Sequence, residues 1–180
     1  MRILHIGELA PHPHVDEWLV SASFPSPVLR GHPCRFVFDD GEGLDAEPEA
    51  LGVAVGNMLR LDAFALTEVQ HLVFQYCQEM LAVHEPAYRP AILVRRADDV
   101  WHQVSFGSEL HVSRRNEGDD EDGIYFSLEC SCAWEPEHGL QIVIRDGLAV
   151  TKVGPFDGHL TNSDAFGDSR LSGVVYKSFG

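Results

Sequence analysis

The sequence predicts an α+β fold: one domain over residues 1–180, mainly an antiparallel sheet, with two helices packed on one of its faces. Three observations predict it. Apolar residues recur at helical spacing between 48 and 82, the pattern changes to alternation beyond residue 91, and an Asp146-Gly147 turn dipeptide separates two apolar runs.

Residues 1–45 carry short β-like runs at 18–21 and 34–38, divided by Pro25, Pro27, Gly31 and Pro33, which mark turns and edge positions. The first helix is expected over about 48–61. Pro48 suits its first position, because the missing N–H has no partner there, and Leu51, Ala54, Val55 and Met58 follow at helical spacing. Gly52 and Gly56 lie on the same segment and allow another backbone to approach closely. The second helix is expected over 67–82, opened by Thr67 with Gln70 three residues on, a spacing in which each side chain caps a free N–H near the other. Val69, Leu72, Val73, Tyr76, Cys77 and Met80 form its apolar stripe, which makes Cys77 a core thiol. Pro86 and Pro90 end this helical half.

Alternation then predicts strands at 100–106 and 110–113 and a long one over 124–134. In the long strand Ile124, Phe126, Leu128, Cys130, Cys132 and Trp134 form a buried face, and Tyr125, Ser127, Glu129, Ser131 and Glu135 a wet one. Two further strands, 140–145 and 148–153, flank Asp146-Gly147 as a hairpin, so three antiparallel strands are expected in succession.

Composition sets limits on function. The chain has 28 acids against 13 bases, a formal net charge of −15, and the deficit is spread: 13 against 5 in residues 1–90 and 15 against 8 in residues 91–180. Neither half is a basic module, which argues against nucleic-acid binding through phosphate contacts. No apolar run has the length of a membrane span, and residues 1–13 lack the apolar stretch of a secretory signal, so a cytoplasmic protein without a membrane partner is expected. In that compartment Cys34, Cys77, Cys130 and Cys132 stay reduced. No phosphate-cradling glycine loop and no G-x-S-x-G occurs, and the only lysines are Lys152 and Lys177, so nucleotide chemistry finds no support.

Two groups of residues merit attention. If 140–145 and 148–153 form a tight hairpin, the chain before the first and after the second emerges at one end. That brings the loop carrying Glu135, Glu137 and His138 beside the loop carrying Asp157, His159, Thr161 and Asn162. Carboxylates and imidazoles so gathered bind a metal or share protons. In the plainer reading, Asp157-Gly158 is a turn, Thr161 or Asn162 caps a short helix, and the histidines tie the loops to the sheet. Without a catalytic spacing the structural or binding reading is preferred, and no catalytic residue, cofactor or metal is assigned. Cys130 and Cys132 with His138 suggest zinc, yet alternation turns both sulfurs to the apolar face. The second group is the run Glu117, Asp119, Asp120, Glu121 and Asp122, read as a solvated hairpin loop or, more boldly, as a patch that meets a basic partner together with Asp39, Asp40 and Glu42. His12 and His14 are read as a solvated loop.

The segments E-C-S-C-A-W-E-P-E-H-G-L-Q at 129–141 and D-G-H-L-T-N-S-D-A at 157–165 resemble an uncharacterised bacterial family known only as a domain of unknown function, with the likeness spanning about 18–168. The resemblance implies no activity and no catalytic residue. Some relatives resemble immunity-type proteins that accompany secreted toxins, which implies a protein partner, such as a basic toxin. The expected function is therefore a non-enzymatic acidic interaction module, with a metal-dependent hydrolase built on Glu135, Glu137, His138, Asp157 and His159 as the alternative.

Overall fold

The computed structural model describes residues 2–39, 48–83 and 92–178. In chain order the strands are β1 (Arg2–Ile3), β2 (Gly7–Glu8), β3 (Ala10–Pro11), β4 (Trp18–Val20), β5 (Phe24–Ser26), β6 (His32–Asp39), β7 (Val104–Arg115), β8 (Gly123–Cys132), β9 (Glu135–Arg145) and β10 (Ala149–Gly154). The helices are α1 (Pro48–Met58), α2 (Phe64–Val83) and α3 (Asn162–Phe166), with a 3-10 helix at Ala97–Gln103. The main sheet runs β10-β9-β8-β7-β6-β4-β3, with β5 added to β6. Every neighbouring pair is antiparallel except β6 and β7, which are parallel. Parallel neighbours need a long crossover, and here it contains α1, α2 and the 3-10 helix. This one parallel pair accounts for both long helices packing on the same face.

The core lies between that face and the helices. Leu110, Val112, Phe126, Leu128, Leu140, Ile142 and Ile144 from the sheet meet Leu51, Val55, Met58, Leu66, Val73 and Tyr76 from the helices. The apolar stripe of α2 is as the spacing predicts, with Val69, Val73, Tyr76 and Cys77 buried. Its start differs: the helix begins at Phe64, where Asp62 Oδ1 accepts the Phe64 amide at 2.8 Å. The Thr67 hydroxyl instead donates to Ala63 O at 3.3 Å, so Asp62 displaces Thr67 from the expected capping role. Helix α1 ends at Met58, short of residue 61. At Gly52 and Gly56 the close neighbours are side chains and not the backbone expected: a Cβ on Gly52 would lie 3.1 Å from Leu4 Cβ, and one on Gly56 2.9 Å from the His5 ring. Pro86 and Pro90 lie outside the described residues.

Three strand expectations need correction. Residues 97–103 form a 3-10 helix, because Val100 and Trp101 bury themselves in the core and Asp99 Oδ2 ties back to the Arg95 and Arg96 amides. The expected strands at 100–106 and 110–113 are thus one strand, β7, that starts at Val104. The long strand stops at Cys132, and the turn falls at Ala133 and Trp134, with Cys132 paired to Glu135. Residues 136–139 are then an irregular segment within β9, since the pairing resumes at Cys130 with Leu140. Finally, the second face of β8 is only partly wet. Glu129 and Ser131 are exposed, but Tyr125 and Ser127 are buried along with Gln141, Val143 and Lys152 of the neighbouring strands, because the chain after β10 folds back across them.

The β8-β9-β10 meander is as expected, and its last turn is a type I′ hairpin. Asp146 and Gly147 have φ of 52° and 66°, and the Leu148 amide donates to Arg145 O at 3.0 Å. The turn is also a docking point, since Asn57 Nδ2 donates to Asp146 O at 3.1 Å and a Cβ on Gly147 would lie 2.3 Å from the Met58 amide nitrogen. No helix among the described residues is long and apolar enough to cross a membrane.

Gly147→Ala is expected to lower stability by about 2–4 kcal/mol, combining the left-handed backbone with a collision against α1. Gly158→Ala, with φ of 80° but open space around it, should lose only about 1 kcal/mol. Urea midpoints of the two variants measure the difference, and equal midpoints would refute the docking of the turn on α1.

Candidate functional site

The two polar loops are neighbours, as the hairpin topology requires: the Phe156 amide donates to His138 O at 3.2 Å. Their side chains nevertheless separate into two groups on opposite faces of the sheet.

The first group lies on the irregular segment of β9. Glu135 is buried and its Oε1 accepts the Glu137 amide at 3.0 Å and the His138 amide at 3.3 Å, so the carboxylate closes this segment on itself. His138 Nδ1 sits 3.5 Å from the same oxygen. One ligand-type atom from each of Glu135, Glu137 and His138 lies within 4.8 Å of the others, so among the described residues this trio has the spacing of a candidate cation site. Behind it, the Tyr76 hydroxyl donates to Gly139 O at 2.9 Å, anchoring the segment to α2. Burial pushes the Tyr76 hydroxyl well above the ordinary tyrosine value, with the nearby Cys132 and Glu135 adding to the shift.

The second group lies on the other face and holds the C-terminal segment down. Lys152 is almost fully buried, and its Nζ donates to Gln141 Oε1 at 3.1 Å, to His159 O at 3.0 Å and to Asp157 Oδ1. Burial lowers the Lys152 pKa from the ordinary lysine value, and the Asp157 carboxylate opposes that shift. Gln141 Nε2 donates to Ser127 Oγ at 2.9 Å and to His159 O at 3.2 Å. The His159 side chain is half exposed, so it is its backbone carbonyl that the lock uses. Thr161 caps α3 by accepting the Asp164 amide at 3.1 Å, and Asn162 Nδ2 donates to Val174 O at 2.7 Å. Asp157 and Thr161 therefore follow the plainer of the two sequence readings, Asn162 ties the loop to Val174 instead of capping, and His159 departs from that reading because its backbone, not its side chain, ties the loop to the sheet.

The acidic run forms the β7–β8 loop as expected, but it is not simply solvated. Arg115, buried at the end of β7, forms paired bonds to Asp164 at 2.8 and 3.0 Å and to Asp119 at 2.5 and 2.9 Å. Asp122 accepts the Glu117 and Gly118 amides at 2.7 and 2.9 Å. Glu121 is buried, bound to the Ser163 hydroxyl and to the Gly173 amide at 3.0 Å, and Asp120 meets Ser172 Oγ at 3.4 Å. A sequence run of like charge thus becomes a clamp because one arginine and several backbone N–H groups turn inward onto it. Asp40 and Glu42 lie outside the described residues.

The cysteines are inert. All four are buried free thiols, and burial pushes Cys130 and Cys132 up to about 12 and Cys34 and Cys77 up to about 11. Cys130 and Cys132 belong to the helix-side core, while His138 turns to Glu135, so these three do not converge as zinc ligands.

The sequence reading misses a further cluster on the open part of the second face. His12 is buried, contrary to the expected solvated loop, because Trp18 packs edge-on against it at 5.7 Å and Glu109 accepts from its Nε2 at 3.2 Å. The His14 amide donates to His12 Nδ1 at 3.1 Å, which places the proton on Nε2. Arg35 also binds Glu109, through Nε at 3.0 Å. Burial works to raise the Glu109 carboxyl, but the bonds from Arg35 and His12 outweigh it and hold it below the ordinary value. His111 lies 4.0 Å from Glu109, and Trp18 packs edge-on to its ring at 5.2 Å. Burial lowers the His111 pKa, which Glu109 and Glu129 oppose. The Gly107-Ser108 break in the β7 alternation is the sequence signal that marks this place.

A mixed sheet with both long helices on one face and a polar, ion-paired lock on the other defines an α+β protein whose C-terminal segment is part of the sheet's cover. The chain belongs to the family described as Domain of unknown function (DUF6985), whose family model matches residues 5–160. The match begins earlier than the 18–168 span expected from the motifs and stops before Thr161, so α3 and its clamp on Arg115 lie beyond it. No curated protein and no solved structure matches the chain.

The hydrogen bonds from Arg115 hold the Asp164 carboxyl below the ordinary aspartate value. Its contribution to stability is present above pH about 4, where an unfolded aspartate is ionised, and is lost as pH falls through the lower folded value. Asp164→Asn is therefore expected to unfold at a lower temperature at pH 7 and to lose less on going to pH 3. A melting temperature that declines with acid as steeply as the parent's would refute the coupling.

Proposed function

We propose that this is a non-enzymatic, acidic binding module of the bacterial cytoplasm whose partner is a basic protein, and that it serves as an immunity protein covering the active site of a cognate toxin. The formal net charge of −15 carries this reading. A charge of that size attracts a basic partner at long range and speeds encounter more than it sets final affinity. It also opposes a nucleic-acid partner. The engagement of Asp157, Thr161 and Asn162 in holding the C-terminal segment supports binding over catalysis, since these groups serve the fold. Glu117, Asp119, Asp120, Glu121 and Asp122, with Asp39, contribute to the negative field on that side.

Stopped-flow mixing with the product of the neighbouring gene tests the reading. A complex is expected whose association rate falls steeply as salt rises. No complex at low salt, or a rate indifferent to salt, would refute it.

A metal-dependent hydrolase is the second reading, favoured by the convergence of Glu135, Glu137 and His138 on one segment. Asp157, bound to Lys152 on the opposite face, does not join that trio, which narrows the reading to three residues. Calorimetric titration with zinc and with manganese checks it: binding abolished by His138→Ala supports a metal site, and heats no greater than dilution rule it out.

A further inference from the structure

Among the described residues, the segment after β10 folds over the second face at Gln141 and Lys152 and leaves Glu129 and Ser131 of β8 exposed. Two hollows of about 330 and 250 Å³ lie side by side on this face, both lined by His111, and together they are termed the trough. The larger hollow exists because β7 carries two extra residues against β8: Phe106 pairs with Cys130 and Leu110 with Leu128, so 107–109 together oppose Glu129. A bulge of this kind bends its strand and re-aims a side chain. Gly107 permits it, since a Cβ there would lie 2.2 Å from Glu129 O.

The two ends of the trough differ in chemistry. At the bulge, Glu109 and Glu129 stand among the hydroxyls of Ser105, Ser108 and Ser131. Glu109 is bound to Arg35 and His12, but Glu129 is exposed and has no hydrogen-bond partner among the described residues. At the other end, Trp18, Phe156 and Leu160 present apolar surface. A carboxylate beside hydroxyls receives an ammonium or guanidinium group, and the rings and aliphatic side chains next to it receive an apolar neighbour.

We propose that this trough is the docking surface for a basic segment of a protein partner, with Glu129 receiving a lysine or arginine head group and Trp18, Phe156 and Leu160 receiving the adjoining apolar residue. The inference rests on the reading of the protein as a binding module for a basic protein, and it names the place of contact. The acidic β7–β8 loop adds to the attraction at a distance. Asp119, Glu121 and Asp122 of that loop are taken up by Arg115, Ser163 and backbone N–H groups, whereas Glu129 is exposed and lines a hollow. Charge complementarity selects the occupant: a protein of net charge −15 draws a cationic segment, and the trough supplies a carboxylate and an apolar step side by side.

Titration of the full chain with a peptide of alternating arginine and leucine, followed by amide NMR shifts at low salt, tests the proposal. Saturable shifts are expected at residues 105–111 and 127–131. Glu129→Arg is expected to weaken the peptide about fivefold or more, and a Glu117→Gln, Asp120→Asn double variant less than about twofold. Shifts that map elsewhere, no saturation, or equal weakening by both variants would overturn it. If the peptide titrates as expected but the neighbouring gene product forms no complex, the immunity reading fails and the trough stands. If that complex forms and Glu129→Arg leaves it unchanged, the trough fails alone.

Discussion

One buried ammonium organises the outer face of this protein. Lys152 lies inside the sheet's cover, where an unpaired cation is costly, and its Nζ is satisfied by Gln141, Asp157 and the His159 carbonyl. Two of those three partners belong to the chain that follows β10, so the cation can be accommodated only when that chain folds back over β9 and β10. Removing one partner of a buried, hydrogen-bonded pair typically costs about 3–5 kcal/mol, somewhat less here because Asp157 is about one-third exposed. The lock also brings Thr161 to the place where it caps α3, and α3 carries Asp164 to Arg115.

That second ion pair links the C-terminal segment to the β7–β8 loop. Arg115 is shared between Asp164 and Asp119, while Ser163 and the Gly173 amide reach Glu121. Part of the densest run of acid in the chain thereby becomes cohesive, with Glu121 buried and Asp119 and Asp122 bonded while Glu117 and Asp120 stay exposed. Among the described residues, the bulge in β7 leaves a hollow lined by Glu129, which stays exposed. The same economy of partners explains both outcomes: acids with a cation or N–H group within reach were folded in, and Glu129 on the uncovered part of the face was not.

Much of the architecture was legible in residues. The α2 stripe, the 18–20 and 32–39 strands and the type I′ hairpin at Asp146-Gly147 each follow from local spacing, because burial of one face imposes a period on the sequence. The apposition of the two polar loops was legible too, from the geometry of a hairpin alone. What failed did so for tertiary reasons. The 100–106 segment alternates like a strand, but its first four residues belong to a 3-10 helix, Ala97–Gln103, that buries Val100 and Trp101. Alternation through 124–134 concealed the turn at Ala133-Trp134, since Trp134 remains buried on either reading, at 6.0 Å from Tyr76. His12 read as solvated because its hydrogen-bond partner Glu109 comes from a strand 97 residues away, which local spacing does not show.

The sequence by itself determined the fold class, the order of the C-terminal meander, the reduced core thiols and the negative field, because each depends on composition or on neighbours a few residues apart. Only the tertiary structure decided which of the acids are used. Glu135 closes its own strand, Asp157 answers Lys152, Asp164 and Asp119 share Arg115, and Glu129 is left facing a hollow. Those assignments depend on which cation or N–H group stands opposite, and sequence spacing carries no record of contacts made across the sheet.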